Sequence, residues 1–288
     1  MSFPALSSWF SREVASLPLG MLLFLYVLAL IFSTPGFYRV VYFISIGYAF
    51  SIVAMAVAVL IVLRQNLAWA SLLHNLLLMV WGLRLGLYLV RREMKPSYGN
   101  ELAVTHQRTA GMPLGLKVVI WVGVSFLYVL MFLPSLVSVT AAPAASGAEP
   151  LTGLIPWIGL AIMAGALVME TVADNQKSAF KARFPKQFCN TGLYRWSRCP
   201  NYLGEILFWV GNWVAGLVFY GSILVWLASL AGLVCIVLIM LGSTKRLESQ
   251  QNERYGNQPD YQAYARAVPI LVPLVPVYTF ENLRVYLG

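Results

Sequence analysis

The stretch NTGLYRWSRCPNYLGEILFW, residues 190–209, combines polar and charged side chains with an apolar run. Its Cys-Pro-Asn sequence is a break after which a helix can begin, with Asn201 as the expected cap. The free amide groups of such a helix end attract an anion, and Arg195 and Arg198 lie just before it. Glu205, one turn later, either favours the helix dipole or accepts hydrogen bonds from a ribose or an amide. The stretch is therefore a candidate site for an anionic cofactor.

A second group of ionisable residues lies in METVADNQKSAFKARF, at the end of an apolar segment. Glu170, Asp174, Lys177 and Lys181 recur at three or four residues and so share one helical face. That pattern is typical of a solvated face with internal ion pairs. Glu170, however, lies inside the apolar register, where solvation does not explain a carboxylate. We expect the apolar segment and its polar extension to form one long helix.

A third group lies in an earlier apolar segment, which contains His74, Asn75 and Arg84. Tyr88 lies one turn beyond Arg84 on the same face. The pattern predicts that His74 and Asn75 form hydrogen bonds between helices. For Arg84 two interpretations stay open: its guanidinium either reaches the membrane surface or lines a polar cavity.

Composition places all three groups in a membrane protein. Hydrophobic residues make up 59% of the 288 and charged residues only 11%, well below the roughly 25% charged content of soluble domains. Seven segments are long and apolar enough to cross a bilayer. They are approximately residues 17–34, 41–63, 68–90, 115–137, 151–173, 203–220 and 222–243. We therefore expect an all-α polytopic protein with about seven transmembrane helices.

The basic residues predict the orientation of these helices. Seventeen of the 20 lysines and arginines fall on one side of this map, whereas Arg12 and Arg64 fall on the other and Arg84 within a span. The positive-inside rule then puts the amino terminus outside and the carboxy terminus in the cytoplasm. We expect a multi-pass protein of the bacterial inner membrane, in contact with membrane lipid.

Several other classes are disfavoured. The three cysteines, Cys189, Cys199 and Cys235, form no disulfide framework and no zinc-binding spacing, so we expect free thiols and no metal. The net charge of +9 is not organised as a nucleic-acid-binding module. Near the end, three prolines (Pro269, Pro273 and Pro276) interrupt an apolar run, which we expect to lie on the cytoplasmic face and not to span the membrane.

The block GLYRWSRCPNYLGEILFWVGN resembles the carboxy-terminal signature of the steroid 5α-reductase superfamily, in particular its bacterial membrane branch. It is also similar to the Arg-His-Pro-Asn-Tyr-x-Gly-Glu block of sterol reductases. The resemblance covers residues 165–268 strongly and the earlier residues weakly. It implies a membrane enzyme that uses NADPH to reduce a carbon–carbon double bond conjugated to a carbonyl, in a steroid-like or other lipid.

The resemblance also implies roles for particular residues. Asn201 and Glu205 would help to hold the nicotinamide half of the cofactor. The other implied cofactor contacts are Glu170, Asp174, Lys181, Arg195, Arg198, Tyr202 and Arg246. It divides the chain into residues 1–140, on the substrate side, and residues 151–288, on the cofactor side, within one integrated membrane domain.

The substrate half departs from the family pattern. The steroid reductases carry a Gln-Glu pair in an early span and a tyrosine in the next, whereas this chain offers Tyr48 and no carboxylate there. Trp81 occupies the position of the second tyrosine, and Tyr88 is the nearest hydroxyl. We therefore expect Tyr48 and Tyr88 to be the candidate proton donors and Trp81 and Arg84 to contact the substrate.

Two alternatives stay open. Isoprenylcysteine carboxyl methyltransferases, which use S-adenosylmethionine, share a similar block, and the tail sequence ERYGNQPDYQAY resembles theirs. This chain, however, reads Leu-Glu-Ser-Gln-Gln at 247–251, where those enzymes have paired glutamates. A transporter is the non-enzymatic alternative, although no inverted repeat is visible. The sequence indicates no obligate protein partner.

Overall fold

The computed structural model describes residues 18–94, 111–141 and 150–284. Within these ranges the regular structure is helical, and no β-strand occurs. The α-helices, in chain order, are α1 (Leu19–Ser33), α2 (Ile46–Val62), α3 (Trp69–Glu93), α4 (Leu114–Ala141), α5 (Pro150–Arg183), α6 (Pro200–Gly216), α7 (Ile223–Tyr255) and α8 (Pro259–Ala267). Short 3-10 turns join several of them. The expected all-α class is confirmed for the described part of the chain.

Seven of the described helical segments are long and apolar enough to cross a membrane. They are Leu19–Phe37, Val40–Val62, Trp69–Glu93, Leu114–Ala141, Gly153–Arg183, Pro200–Phe219 and Ile223–Tyr255. A helix satisfies its own backbone hydrogen bonds, so it can lie in hydrocarbon without unpaired amide or carbonyl groups. The expected number of spans is confirmed, and the side of the membrane on which each terminus lies stays a prediction.

Helices α5 and α7 are longer than a bilayer requires. They contain 34 and 33 residues, which at 1.5 Å per residue is about 50 Å, against a hydrocarbon core of about 30 Å. Their polar ends, which include Glu170 to Arg183 on α5 and Thr244 to Tyr255 on α7, continue the spans without a break. The prediction that the fifth span and its polar extension form one helix is confirmed.

The start of α6 differs by one residue from the expected cap. The helix begins at Pro200, so Asn201 lies inside the first turn and not at the cap. Proline favours the first helical position because its missing N–H is not needed there and its φ angle is already helical. The cap prediction for Asn201 was therefore wrong, while the predicted break at Pro200 is confirmed.

Packing divides the chain into two compact units. The first comprises Met1–Leu160 with Asn212–Gly232. Its core contains the fully buried side chains Ile52, Met55, Leu78, Trp81 and Phe132, from α2, α3 and α4. Close helix contact in this unit depends on glycine: a Cβ on Gly82 would lie 2.7 Å from the Ala49 carbonyl oxygen.

Buried polar pairs also join helices of the first unit. Ser33 and Ser125 share a hydrogen bond of 3.0 Å between their hydroxyls. His74 Nε2 lies 2.9 Å from Asn212 Oδ1, and the Asn212 amide donates to the Met131 carbonyl at 3.0 Å. The predicted hydrogen bond of His74 to another helix is confirmed. Asn75 instead donates within its own helix, to the Ser71 carbonyl at 2.9 Å.

The second unit comprises Ala161–Gly211 with Leu233–Gly288. Residues 268–284 form no helix, which confirms that this proline-interrupted run does not span the membrane. Instead it folds back on the start of α6: Ile270 and Leu271 are buried against Cys199 and Leu203. The unit also contains an aromatic cluster, in which Phe188 packs on Tyr255 and Tyr261.

We predict that Gly82→Ala destabilises the protein by about 1–3 kcal/mol, because the added methyl group forces α2 and α3 apart. The measurement is the apparent melting temperature of the detergent-purified protein. Gly123→Ala on α4 is the matched control, since a Cβ there meets no atom within 4 Å. That variant should be neutral or stabilised by up to about 1 kcal/mol, since alanine favours helix more than glycine does. Equal melting temperatures for the two variants would contradict the tight-packing explanation.

Candidate functional site

The loop before α6 is fixed to α5 by a glycine turn. Gly192 has a φ of +62°, and a Cβ there would lie 2.3 Å from the Gln176 Oε1 atom. That same oxygen accepts a hydrogen bond of 2.8 Å from the Leu193 backbone N–H. Only glycine fits this left-handed turn against the side chain. The Asn-Thr-Gly sequence that signalled a turn therefore positions the whole block 193–205 against α5.

Three carboxylates on α5 and α6 are buried. Glu170 and Asp174 are 2% and 4% exposed, and Glu205 is also buried. A Cβ on Gly204 would lie 2.9 Å from the Glu170 Cβ, so the α6 backbone approaches Glu170 directly. Charged groups so deeply buried require polar partners. The structure thus packs Glu170 of one motif against Gly204 of the other, a contact that the sequence could not show.

Asn201 holds a buried oxygen atom that has no partner. Among the described residues, no hydrogen-bond donor reaches its Oδ1 atom, although the atom is shielded from solvent. A buried amide oxygen almost always accepts a hydrogen bond from the protein, from water or from a ligand. Its place in the first turn of α6 puts it beside the free amide groups of the helix start. Asn201 is therefore available to a ligand that donates a hydrogen bond.

Arg198, by contrast, is committed to an ion pair. Its guanidinium lies 2.8 Å from Glu248 Oε1, and the two side chains are 2% and 4% exposed. The guanidinium also donates to the Tyr278 carbonyl, and the second Glu248 oxygen accepts from the Phe280 N–H at 2.8 Å. The Arg198 backbone N–H donates to the Pro269 carbonyl at 3.0 Å. Arg198 therefore holds the tail, and its charge is neutralised by Glu248.

A small cleft of about 70 Å³ lies in the second unit, among polar and aromatic side chains. Its lining residues are Lys177, Lys181, Phe188, Cys189, Tyr194, Leu247, Gln250, Gln251, Arg254 and Tyr255. The Lys181 ammonium donates to the Tyr255 hydroxyl at 2.6 Å and lies 5.0 Å from the centre of that ring. It also donates to the Gln187 carbonyl at 2.5 Å. Three cations and two amides around one cleft form an environment suited to phosphate or hydroxyl groups.

The remaining predicted cofactor contacts lie at the edges of the second unit. Arg195 and Arg246 are exposed, so their guanidinium groups are open to solvent. Tyr202 is half-buried and packs on the cluster formed by Cys199, Leu203, Ile270 and Leu271. All nine predicted cofactor residues thus belong to the second unit.

The Cys199 thiol is buried immediately before the start of α6. Burial in apolar surroundings raises its pKa to about 11, outweighing the opposite effects of Lys177 and Arg198. The thiolate, which is the reactive form, is therefore scarce at neutral pH. Burial also raises the pKa of the Tyr261 phenol. The chemistry of this region therefore depends on its carboxylates, amides and cations.

The four predicted substrate and catalytic residues lie in the first unit. Tyr48 is buried, with its ring 5.1 Å from that of Trp81 and stacked at 5.3 Å on that of Tyr128. Tyr88 lies beside two guanidinium groups, those of Arg84 at 5.8 Å and Arg92 at 6.0 Å from its ring centre. The structure therefore groups Tyr48 with Trp81, and Tyr88 with Arg84.

Comparison with known proteins identifies the family. A family model described as "Protein of unknown function (DUF1295)" matches residues 32–268. The chain belongs to this family. It is also 29% identical, over 148 residues, to an uncharacterized protein of Schizosaccharomyces pombe. That match covers 44% of this chain and 42% of the yeast protein, so the chain spans less than half of that relative. No solved structure matches the chain.

Sequence reasoning missed several residues of the DUF1295 protein that the structure places in these regions. Glu248 is 50 residues from Arg198 and no spacing rule relates the two, so only the fold pairs them. Tyr128 follows Ser125 at helical spacing on a buried face of α4, which was a usable signal. Arg254 and Gln250 lie one turn apart in the polar end of α7, and that spacing was also visible in the sequence.

We predict that Glu248→Gln destabilises the protein by about 3–5 kcal/mol, because the buried Arg198 charge loses its counter-ion. Both Glu248 oxygens accept hydrogen bonds, and the glutamine amide would place a donor against one of those donors. The melting temperature should fall, and chymotrypsin should cleave faster at Phe280 as the tail is released.

The matched control for this prediction is Glu253→Gln, an exposed position on the same helix. It should leave both the melting temperature and the cleavage rate unchanged. If the tail of Glu248→Gln stayed as resistant to chymotrypsin as that of the control, the ion pair would not be what holds it.

Proposed function

We propose that this DUF1295 protein is a membrane-embedded, NADPH-dependent reductase. Its substrate would be a carbon–carbon double bond conjugated to a carbonyl group in a steroid-like or other lipid. The observation that carries the proposal is the buried, unpartnered Asn201 Oδ1 at the start of α6. It belongs to the block that resembles the steroid 5α-reductase superfamily, and Tyr194 of that block lines the cleft together with three cations.

The chemistry of the second unit fits NADPH. Asn201 Oδ1 would accept a hydrogen bond from the carboxamide of the nicotinamide, and Glu205 and Asp174 supply carboxylates suited to ribose hydroxyls. Lys181, with Lys177 and Arg254 around the cleft, supplies positive charge suited to phosphate groups. Arg195 and Arg246 add exposed guanidinium groups. Arg198 would contribute indirectly, by holding the loop that precedes Asn201.

The cleft would have to enlarge to admit a dinucleotide. Its volume is about 70 Å³, whereas ligand pockets usually measure about 300–1,000 Å³. The contact of Lys181 with Tyr255 closes one part of it. Exchange of that contact for a phosphate oxygen would open the cleft and keep the ammonium paired, so binding and opening would be coupled.

NADPH would supply a hydride to the electron-poor carbon of the conjugated bond. The protein would polarise the carbonyl oxygen by a hydrogen bond, and Tyr48 and Tyr88 are the candidate donors. A phenol is neutral and able to donate a proton at neutral pH. Trp81 offers an apolar ring beside Tyr48, and the Arg84 guanidinium beside Tyr88 would stabilise negative charge on the phenol or the substrate.

The proposed activity also bears on the orientation of the protein in its membrane. Seven apolar helices make the chain an integral multi-pass protein in contact with lipid. We infer that it lies in a bacterial inner membrane with its amino terminus outside and its basic loops in the cytoplasm. That orientation would give the cofactor residues access to the cytoplasmic pool of NADPH.

We predict that the detergent-purified protein binds NADPH at micromolar concentration, and that Asn201→Ala weakens this binding about tenfold through the lost hydrogen bond. The measurement is isothermal titration calorimetry with NADPH, NADH and S-adenosylmethionine. Asn257→Ala is the matched control, because Asn257 is exposed beyond the end of α7. Binding of S-adenosylmethionine alone would instead support a methyltransferase, and binding of none of the three would support a transporter.

We predict that Tyr48→Phe and Tyr88→Phe together lower the rate of enone reduction about 10²–10⁴-fold, as loss of a general acid does. The assay follows NADPH oxidation with a 3-oxo-4-ene steroid and with an enone carrying a fatty chain. NADPH affinity should not change. Tyr26→Phe is the matched control, since its hydroxyl contacts only the Val122 carbonyl within the described hydrogen bonds. Full activity of the double variant would eliminate both tyrosines as donors.

A further inference from the structure

The tail after α8 forms a tight turn, which we call the tail hairpin (residues 270–277). The Ile270 N–H donates to the Val277 carbonyl at 2.9 Å, and the Val275 N–H donates to the Val272 carbonyl at 3.3 Å. Leu274, at the tip, has a φ of +67°, and no other non-glycine residue in the described ranges has a positive φ. A leucine in this region of φ and ψ is strained, so the surrounding contacts must hold it there.

The base of the tail hairpin, at Ile270 and Leu271, packs against the start of α6. Ile270 is 1% exposed and lies with Leu271 against Cys199 and Leu203. The Ser197 hydroxyl also donates to the Leu271 carbonyl at 2.7 Å. Leu203 lies in the first turn of α6, about 5 Å along the helix from its start. The hairpin is therefore beside the end of a transmembrane helix.

The tip of the tail hairpin is apolar and exposed. Leu274 is 90% exposed, and Val272, Val275 and Val277 are exposed as well. The fourteen residues 267–280 contain no charged side chain. Large exposed apolar side chains next to one another mark an interaction surface. Exposure of these apolar side chains to water is unfavourable. Contact with another apolar surface would remove that cost and help to hold Leu274 in its strained conformation.

The neighbouring surface indicates what covers it. Met169 packs on the cluster that contains Ile270 and Leu271, and Val168 and Val172 next to it are exposed on the apolar part of α5. Those valines face lipid, because they belong to a span. Trp196 is 64% exposed just before α6, with Arg195 beside it. Tryptophan and arginine at a span end are typical of the membrane–water interface.

We propose that the tail hairpin inserts its Leu274 tip into the bilayer interface next to the start of α6. The apolar tip would lie among the upper acyl chains, and Trp196 would lie at the level of the headgroups. The hairpin thus continues the lipid-facing surface of α5. Since its base is held by Ser197 and Arg198, the insertion joins the lipid surface to the loop before α6, independently of any cofactor.

The test is the depth of a fluorophore on the hairpin. Leu274→Cys and Asn257→Cys would be labelled with bimane in nanodiscs of phosphatidylcholine and phosphatidylglycerol. Labelled wild type supplies the background from its own cysteines, two of which are buried. We expect a lipid nitroxide near the headgroup end of the acyl chain to quench the Leu274 label several-fold more than the Asn257 label. Aqueous iodide should quench the two labels in the opposite order.

Two results would overturn the proposal. Iodide quenching at Leu274 equal to that at Asn257 would place the hairpin in water. Protection of the Leu274 label from both quenchers would place it under protein. Val275→Cys is the second position, in case the tip variant disturbs the turn, and it should show the same order of quenching as Leu274→Cys.

Discussion

The buried ion pair between Arg198 and Glu248 is the interaction on which the arrangement of the second unit depends. It joins three segments that are distant in sequence: the loop before α6, the polar end of α7 and the tail. Its two ions are almost fully buried, and each therefore requires the other together with hydrogen bonds to the backbone. This pair fixes the loop that leads directly into Asn201. The position of Asn201, the candidate cofactor contact, therefore depends on the pair.

The buried polar groups of the two units differ in kind. In the first unit, pairs such as Ser33 with Ser125 and His74 with Asn212 join helices in a medium that offers no water. In the second unit, carboxylates on α5 and α6 are buried, and three cations line a cleft. Asn201 Oδ1, in the first turn of α6 in the second unit, is one of the buried acceptors that have no partner among the described residues.

Much of the fold could be predicted from sequence because hydropathy and helix length are local properties. The seven spans and the unbroken helix through Glu170 and Lys181 followed from apolar runs and i, i+4 spacing. The pairing of Arg198 with Glu248 could not be predicted, since nothing local relates residues 50 apart. The predicted cap at Asn201 was wrong because the helix begins one residue earlier, at Pro200. The candidate block at residues 190–209 was visible in the sequence, whereas the burial of its side chains could be seen only in the folded structure.

The continuity of α5 and α7 has a mechanical consequence. Each helix passes from the bilayer into its polar end without a break, and the two polar ends carry Asp174, Lys181 and Glu248. A transmembrane helix tilts to match the thickness of the surrounding hydrocarbon. A rigid extension of about 20 Å that tilts by about 10° moves its far end by roughly 3 Å. A change in the tilt of α5 or α7 would therefore shift the side chains that its polar end contributes to the cleft.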